Sequence, residues 1–407
     1  MNVTITPGFL RGNLTPPPSK SESHRLIIGA ALCDGVSTLT NMAYSEDIEA
    51  TIACMTALGA SFVTDGGTLR VTGLRKNGKL PEFHELPRLD CGESGSTLRF
   101  LIPVALAVAG GGVFSGRGRL MQRPQTPYET LFREYGIAFE STESTLTVRG
   151  QLKPGMFALP GNVSSQFFTG LLYALPLLNG DSQLISTTAQ ESASYLDMTL
   201  EALGRFGIRC KAESDRFLIP GNGRFCPADN RVGADWSNGA FWLAANSLGS
   251  TVEICGLDAQ SAQGDRAIWA FADRMKHSGP LELDVSDCPD LVPPLAVMAA
   301  LRARETTQII GAARLRIKES DRLTTVTETL RALGAQIEEQ PESLHIEGVE
   351  TLHGGTVDGC NDHRIAMMAA IAATRADGAV TITGAQCVNK SYPDFWRDFQ
   401  ALGGELQ

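Results

Sequence analysis

Asn361-Asp362-His363-Arg364 runs directly into Ile365-Ala366-Met367-Met368-Ala369-Ala370-Ile371-Ala372-Ala373, and a strand-like segment, Val380–Ile382, follows. A helix this apolar has no face for water and is stable only when buried all round. The same plan recurs five times upstream. Ser19-Lys20-Ser21, Ser94-Gly95-Ser96-Thr97, Ser164-Ser165-Gln166, Trp236-Ser237-Asn238 and Pro289-Asp290 open the runs Leu26–Cys33, Leu98–Val108, Phe167–Leu178, Phe241–Leu248 and Leu291–Leu301. Segments such as Ser37–Leu39, Gln183–Ile185 and Thr251–Ile254 read as the strands behind them.

A second series keeps step with the first. Amphipathic stretches stop at Gly59, Gly136, Gly207, Gly279, Gly334 and Gly403, at spacings of 77, 71, 72, 55 and 69 residues. Glycine closes a helix because it accepts the left-handed conformation. These stretches open at Ser45-Glu46-Asp47, Arg123-Pro124, Ser192 to Tyr195, Gln263 to Arg266, Glu319 to Arg322 and Ser391 to Asp394. The spacing predicts six repeats of roughly 70 residues, each with two helices and about four strands. Repeated helices bring their N-termini to one place, and helix N-termini attract anions.

At 407 residues the chain exceeds one core, so six repeats divide into two domains of three. The expected boundaries give residues 1–17 with 234–407 as one domain and 18–233 as the other. A hinge is expected at crossings near 15–18 (Thr-Pro-Pro-Pro) and 225–235, and helix ends facing each other across it would make an anion-attracting cleft. A net charge of −10 argues against a nucleic-acid-binding surface. Nine scattered cysteines without a metal-ligand spacing read as the reduced thiols of a cytoplasmic protein. The apolar runs are shorter than the roughly 20 residues of a membrane span, so no membrane association is expected.

Cations crowd the openings: Lys20, Arg25, Arg123, Lys318, Arg322, Arg364 and Lys390. Arginine matches phosphate or carboxylate with a planar fork, and lysine adds a mobile charge. Hydroxyls of Ser21, Ser164, Ser165 and Ser192, with the Gln166 amide, complete a cradle for phosphate. Against this background Asp290 and Glu319 are candidate acid–base groups. Asp290 reads equally as a helix cap, and Glu319 as a salt-bridge partner of Lys318 or Arg322. Asp321 reads as structural. His363 reads either as a substrate-polarising group or as a buried hydrogen-bonding residue. Walker-type and dinucleotide-binding patterns and a metal-ligand cluster are all missing, and so many cations neutralise phosphate without a metal.

Pro18-Ser19-Lys20-Ser21 with Ser23-His24-Arg25, Gly92-Glu93-Ser94-Gly95-Ser96-Thr97-Leu98-Arg99, Gln122-Arg123-Pro124 and Ser164-Ser165-Gln166 resemble motifs of one known family. Pro289-Asp290, Lys318-Glu319-Ser320-Asp321-Arg322, Asn361-Asp362-His363-Arg364 and Lys390-Ser391-Tyr392-Pro393-Asp394 resemble it in the second half. The family is that of the 3-phosphoshikimate 1-carboxyvinyltransferases, the 5-enolpyruvylshikimate-3-phosphate (EPSP) synthases. The resemblance implies a two-domain inside-out α/β barrel of six βαβαββ repeats. It also implies transfer of the carboxyvinyl group of phosphoenolpyruvate to the 5-hydroxyl of shikimate 3-phosphate, by a cytoplasmic monomer without a cofactor.

By that resemblance Lys20, Ser21, Arg25, Ser164, Ser165, Gln166, Ser192, Tyr195, Asp290 and Lys318 hold shikimate 3-phosphate. Lys20, Gly95, Arg123, Gln166, Arg322, Arg364 and Lys390 hold phosphoenolpyruvate. Asp290, Glu319, Lys20, Lys390 and His363 are the implied catalytic set: Asp290 as base toward the 5-hydroxyl, Glu319 as carrier of the C3 proton, Lys20 assisting phosphate departure. Gly95 stands where a bulkier residue would crowd the inhibitor glyphosate. The chain departs from many members at Pro18, Glu93, Ser94, Ser96, Phe100 and Arg314, and Glu93 places an acid beside the implied phosphoenolpyruvate site. The rival of the same architecture acts on UDP-N-acetylglucosamine, pairs its lysine with Asn and carries a loop Cys; here Ser21 follows Lys20 and Arg123 has no Cys nearby. A non-catalytic sugar-acid binder would not require both Asp290 and Glu319. An RNA 3′-phosphate cyclase is disfavoured by the acidic balance.

Overall fold

The computed structural model describes residues 1–407. Twelve α-helices appear in chain order. They are α1 (Lys20–Ala31), α2 (Glu46–Ala57), α3 (Gly95–Ala109), α4 (Thr126–Glu134), α5 (Ser165–Ala174), α6 (Ala193–Arg205), α7 (Trp236–Ser247), α8 (Ile268–Arg274), α9 (Val292–Ala300), α10 (Arg322–Ala332), α11 (His363–Ala373) and α12 (Phe395–Ala401). The odd-numbered helices are the apolar series, and each is buried along nearly its whole length. The even-numbered helices bury one face. All six glycines of the second series have positive φ, from +68° at Gly136 to +106° at Gly59, the conformation that ends a helix without a Cβ clash.

The chain divides into two compact units. The first contains Met1–Ser19 and Gly233–Gln407, the second Lys20–Val232. Each has its own apolar core, centred on α7, α9 and α11 in the first unit and on α1, α3 and α5 in the second. No helix is long and apolar enough to cross a membrane.

Five of the six repeats build a four-stranded sheet on one template. The strand before the buried helix lies parallel to the strand after it, and two antiparallel strands follow, joined as a hairpin in four of the five sheets. In the second repeat the order is Arg88–Asp90, Gly111–Ser115, Thr145–Arg149, Ala138–Ser141. Parallel neighbours need a crossover of a dozen or more residues, which the buried helix supplies. Two repeats borrow their first strand. Asn230–Arg231 joins Val36–Thr40 in the first repeat, and Arg11–Leu14 joins Thr251–Ile254 in the fourth. The chain therefore passes from one unit to the other directly after each borrowed strand. Val3–Thr6 likewise completes the last sheet, between Val380–Thr383 and Glu405–Leu406.

The fourth repeat departs from the expected four strands. It has only two, because the hairpin is missing between α8 and the next repeat's first strand, Leu281–Asp284. That deletion is what shortens one glycine spacing to 55 residues. Where a third strand would pair, the Asn246 side chain bonds both the N–H and the carbonyl of Val252, at 2.8 and 2.7 Å, which satisfies part of the exposed edge.

Candidate active site

In the second unit the helix N-termini are stitched to one another by side chains. Lys20, the first residue of α1, pairs with Asp47 in the first turn of α2 at 2.8 Å. Thr51 of α2 bonds Thr97 of α3 at 2.6 Å. Ser94 caps α3 by accepting from Thr97 N–H. Ser164 caps α5 by accepting from Gln166 N–H at 3.3 Å. The Gln166 carboxamide accepts from Arg99 at 2.8 Å and donates to Ser96 at 3.0 Å, so both its ends are oriented. Arg99 itself lies over the Phe167 ring and donates to the Pro124 carbonyl.

Arg123 completes this cluster. It is 8% exposed, and its Nε and Nη2 have no protein acceptor. A Cβ at Gly95 would lie 2.8 Å from Arg123 Nη1, so only glycine leaves the guanidinium where it is. Two buried donors beside the N-terminus of α3 are what an anion would satisfy.

Arg25 is 2% exposed and anchored by Thr199 at 3.0 Å, the Tyr195 carbonyl at 2.9 Å and the Ser21 carbonyl at 2.7 Å. Its guanidinium lies over the rings of Phe100 and Tyr195. Burial draws it down to about 10, which still leaves it charged at neutral pH. Ser192 precedes α6 with φ 54°, a left-handed conformation that costs a serine energy. Burial, with the charges of Lys20 and Arg25, keeps His24 neutral.

In the first unit a second cluster forms around Asp290, in a short 3-10 turn ahead of α9. Asp290 is not a helix cap. Its carboxylate meets Arg322 and Arg364 at 3.0 Å each and Lys318 at 3.6 Å. Burial works against its ionisation, but Arg364, Lys318 and Arg322 outweigh it and hold the carboxyl well below the usual range. Arg322 also pairs with Glu319 at 2.6 Å and with the fully buried Asp362 at 2.9 and 3.1 Å. Against burial, Asp362, Glu319 and Asp290 raise Arg322 further, so its charge is permanent. Burial lowers Lys318 despite Asp290.

Asp362 also caps α11 by accepting from Arg364 N–H at 3.0 Å, and Ser320 Oγ donates to it at 3.0 Å. Lys390 is 4% exposed and donates to the Asn361 carbonyl at 2.7 Å. Cys360 and Asn361, both at positive φ, shape that turn. His363 is buried at the start of α11, with Nδ1 4.0 Å from Asp362. Asp321 caps α10, and Arg314 donates to the Ser286 carbonyl.

The structure thus gathers Lys20, Ser21, Arg25, Gly95, Arg123, Ser164, Ser165, Gln166, Ser192 and Tyr195 at helix starts of the second unit. Asp290, Lys318, Glu319, Arg322, His363, Arg364 and Lys390 gather in the first unit. Sequence reading did not single out Asp47, Arg99 or Asp362 as site residues. All three lie within or beside the polar openings, so the register of the repeat was the available signal.

Three comparisons bear on this arrangement. The family model described as EPSP synthase (3-phosphoshikimate 1-carboxyvinyltransferase) matches residues 5–399. A 3-phosphoshikimate 1-carboxyvinyltransferase of Clostridium novyi (strain NT) is 45% identical, with 99% of this chain and 98% of the relative covered. The protein of that name from Clostridioides difficile (strain 630) is 42% identical, over 100% and 98%. Among solved structures, an EPSP synthase from Acinetobacter baumannii superposes with a TM-score of 0.81 at 24% identity, covering 100% and 99% of the two chains. The enolpyruvyl transferase NikO from Streptomyces tendae does so with 0.78 at 18%, covering 100% and 98%. At such identities the two structures speak for the fold alone.

Proposed function

The chain belongs to the EPSP synthase family, and from that premise we propose that it transfers the carboxyvinyl group of phosphoenolpyruvate to the 5-hydroxyl of shikimate 3-phosphate. The products are 5-enolpyruvylshikimate 3-phosphate and inorganic phosphate. Lys20, Ser21, Arg25, Ser164, Ser165, Gln166, Ser192, Tyr195, Asp290 and Lys318 hold the phosphorylated acceptor. Lys20, Gly95, Arg123, Gln166, Arg322, Arg364 and Lys390 hold phosphoenolpyruvate. The two orphaned Arg123 donors and the glycine beside them support the second assignment.

Glu319, as carrier, gives its proton to C3 of the enol, which makes C2 electrophilic. The 5-hydroxyl oxygen bonds to C2 as its proton leaves to Asp290, giving a tetrahedral ketal phosphate. Removal of a methyl proton by Glu319 then forms the new double bond as the C2–O bond to phosphate breaks. Lys20 meets the charge on the departing phosphate, while Lys390 and His363 steady the anionic groups. The observation that carries this reading is the Asp290 carboxylate, held ionised among Arg364, Lys318 and Arg322. A carboxylate so tightly paired is a weak base. An arriving anion draws on Arg322 and Arg364, and Asp290 regains proton affinity as the site fills. With phosphate charge met by Lys and Arg, the reading needs no metal or organic cofactor. It places the enzyme in the cytoplasm as a monomer, with nine cysteines outside any disulfide.

The test is phosphate release by purified protein from phosphoenolpyruvate, with shikimate 3-phosphate or UDP-N-acetylglucosamine as acceptor. Turnover with the first and none with the second is expected. No turnover with the first acceptor overturns the reading.

A further inference from the structure

One buried chain of hydrogen bonds joins three helices of the second unit. His24 of α1 is 1% exposed, and its Nδ1 lies 2.7 Å from Thr51 Oγ1 of α2. Thr51 Oγ1 lies 2.6 Å from Thr97 Oγ1 of α3, and the Thr97 hydroxyl donates at 2.7 Å to Ser94 Oγ, the cap of that helix. Thr51, Thr97 and Ser94 are as deeply buried as His24. His24 Nε2 has no partner, and the Phe100 ring stands edge-on to the imidazole at a centroid distance of 6.4 Å.

The chain has a direction, because each hydroxyl has one proton to give. Ser94 Oγ accepts from Thr97 N–H at 3.1 Å, as a cap does, and the Thr97 hydroxyl proton goes to the same oxygen. Thr51 gives its own proton to Thr97 or to the Asp47 carbonyl at 3.3 Å. Either choice leaves Thr51 Oγ1 only lone pairs for the imidazole, so the ring must donate. A neutral ring has one proton. At Nδ1 it meets Thr51, whereas at Nε2 it would be a buried N–H facing no acceptor.

We propose that His24 is a positioning residue for phosphoenolpyruvate, its Nδ1–H orienting, through Thr51 and Thr97, the Ser94 cap that holds the start of α3 beside Arg123. The proposal rests on the phosphoenolpyruvate assignment of Gly95 and Arg123 above. Gly95 is the first residue of α3, and a Cβ there would lie 2.8 Å from Arg123 Nη1. A small turn of the helix start therefore changes the space in front of that guanidinium. Without the imidazole donor the hydroxyl chain reverses: Thr97 gives its proton to Thr51, and Ser94 loses one of its two donors. The loosened cap weakens binding at the helix start and leaves the chemical step alone, since His24 acts only through the cap.

Steady-state kinetics on the full chain compare His24→Leu, His24→Asn and Thr51→Val. Loss of one buried hydrogen bond corresponds to roughly two- to tenfold in affinity. KM for phosphoenolpyruvate is expected to rise by that factor in His24→Leu and Thr51→Val, with kcat and KM for shikimate 3-phosphate little changed. The Asn amide nitrogen reaches the place of Nδ1, so His24→Asn is expected to keep the wild-type KM. The double variant His24→Leu/Thr51→Val should be no worse than either single one, because both cut the same chain. An unchanged KM in active His24→Leu and Thr51→Val, or a His24→Asn enzyme as impaired as His24→Leu, overturns the proposal. Absence of turnover in the wild type would instead strike the proposed function. A second measurement then still decides, as it does if His24→Leu fails to fold. Long-range proton–nitrogen correlation NMR on protein with isotope-labelled histidine reads which ring nitrogen carries the proton, the His24 signals being those lost in His24→Asn. A proton on Nδ1 is expected, and a proton on Nε2 refutes the direction of the chain and the proposal with it.

Discussion

Tyr128→Phe removes one oxygen atom from the core of the second unit and exposes a defect that the sequence builds into α3. Pro103 lies inside that helix and has no N–H, so the carbonyl of Arg99, four residues earlier, lacks its helical donor. The Tyr128 hydroxyl, fully buried, lies 2.9 Å from that carbonyl and 2.7 Å from the Phe167 carbonyl. Phenylalanine keeps the ring between Phe132 and Phe167, at centroid distances of 5.1 and 4.8 Å, so packing changes little. The loss is that of a donor to buried carbonyl oxygen, about 1–3 kcal/mol. With a urea slope near 2 kcal/mol/M, that moves a midpoint by about 0.5–1.5 M. Trp236, Trp242, Trp269 and Trp396 all lie in the first unit. Tryptophan fluorescence therefore follows one unit while far-ultraviolet circular dichroism follows both. The dichroism transition should move to lower urea and the fluorescence transition should stay. An unmoved dichroism transition would show that the Arg99 carbonyl does not depend on Tyr128.

Other perturbations test the clusters separately. Asp362→Ala strips Arg322, 1% exposed, of its buried partner; it should cost about 3–5 kcal/mol, read as a lower fluorescence-monitored midpoint. Glu319→Gln should suppress exchange of the phosphoenolpyruvate methylene hydrogens with solvent during turnover, followed by proton NMR; exchange at the wild-type rate removes Glu319 from proton transfer. Burial and the like charge of Asp290 raise the Asp265 carboxyl to about 7 in the folded protein from its usual range, so it binds its proton more tightly folded than unfolded. Stability from this group is thus largest below the unfolded value and falls as pH rises toward 7 and beyond. Asp265→Asn should accordingly melt higher than wild type at pH 8, with the difference shrinking toward pH 4.

The buried helices were legible because their signals are local: a polar opening, an apolar run, a glycine stop. The pairing of strands was not. Asn230–Arg231 is two residues long, and its partner Val36–Thr40 lies some 190 residues away, so nothing near it in sequence marks it as a strand. The missing hairpin of the fourth repeat was written in the 55-residue spacing, which reads as scatter until the sheets are seen. Cations of the site stood out because they recur at one register. Their carboxylate partners did not, because pairing is tertiary: Asp362 meets Arg322 across 40 residues, and Lys20 meets Asp47 across 27. Asp290, read equally as a cap or a chemical group, proved to be the hub of an ion-pair cluster because two later segments, Lys318–Arg322 and the start of α11, fold onto it.

Anionic ligands received at the starts of the buried helices would be seen in a crystal structure with phosphoenolpyruvate and shikimate 3-phosphate bound. Phosphoenolpyruvate oxygens are expected within hydrogen-bond distance of Arg123, Arg322, Arg364 and Lys390, and the acceptor's phosphate on Ser164, Ser165 and Lys20 or Arg25. Ligand found instead in the cavity of about 500 Å³ lined by Met156, Gln183 and Pro220, with those cations untouched, would contradict reception at the helix starts.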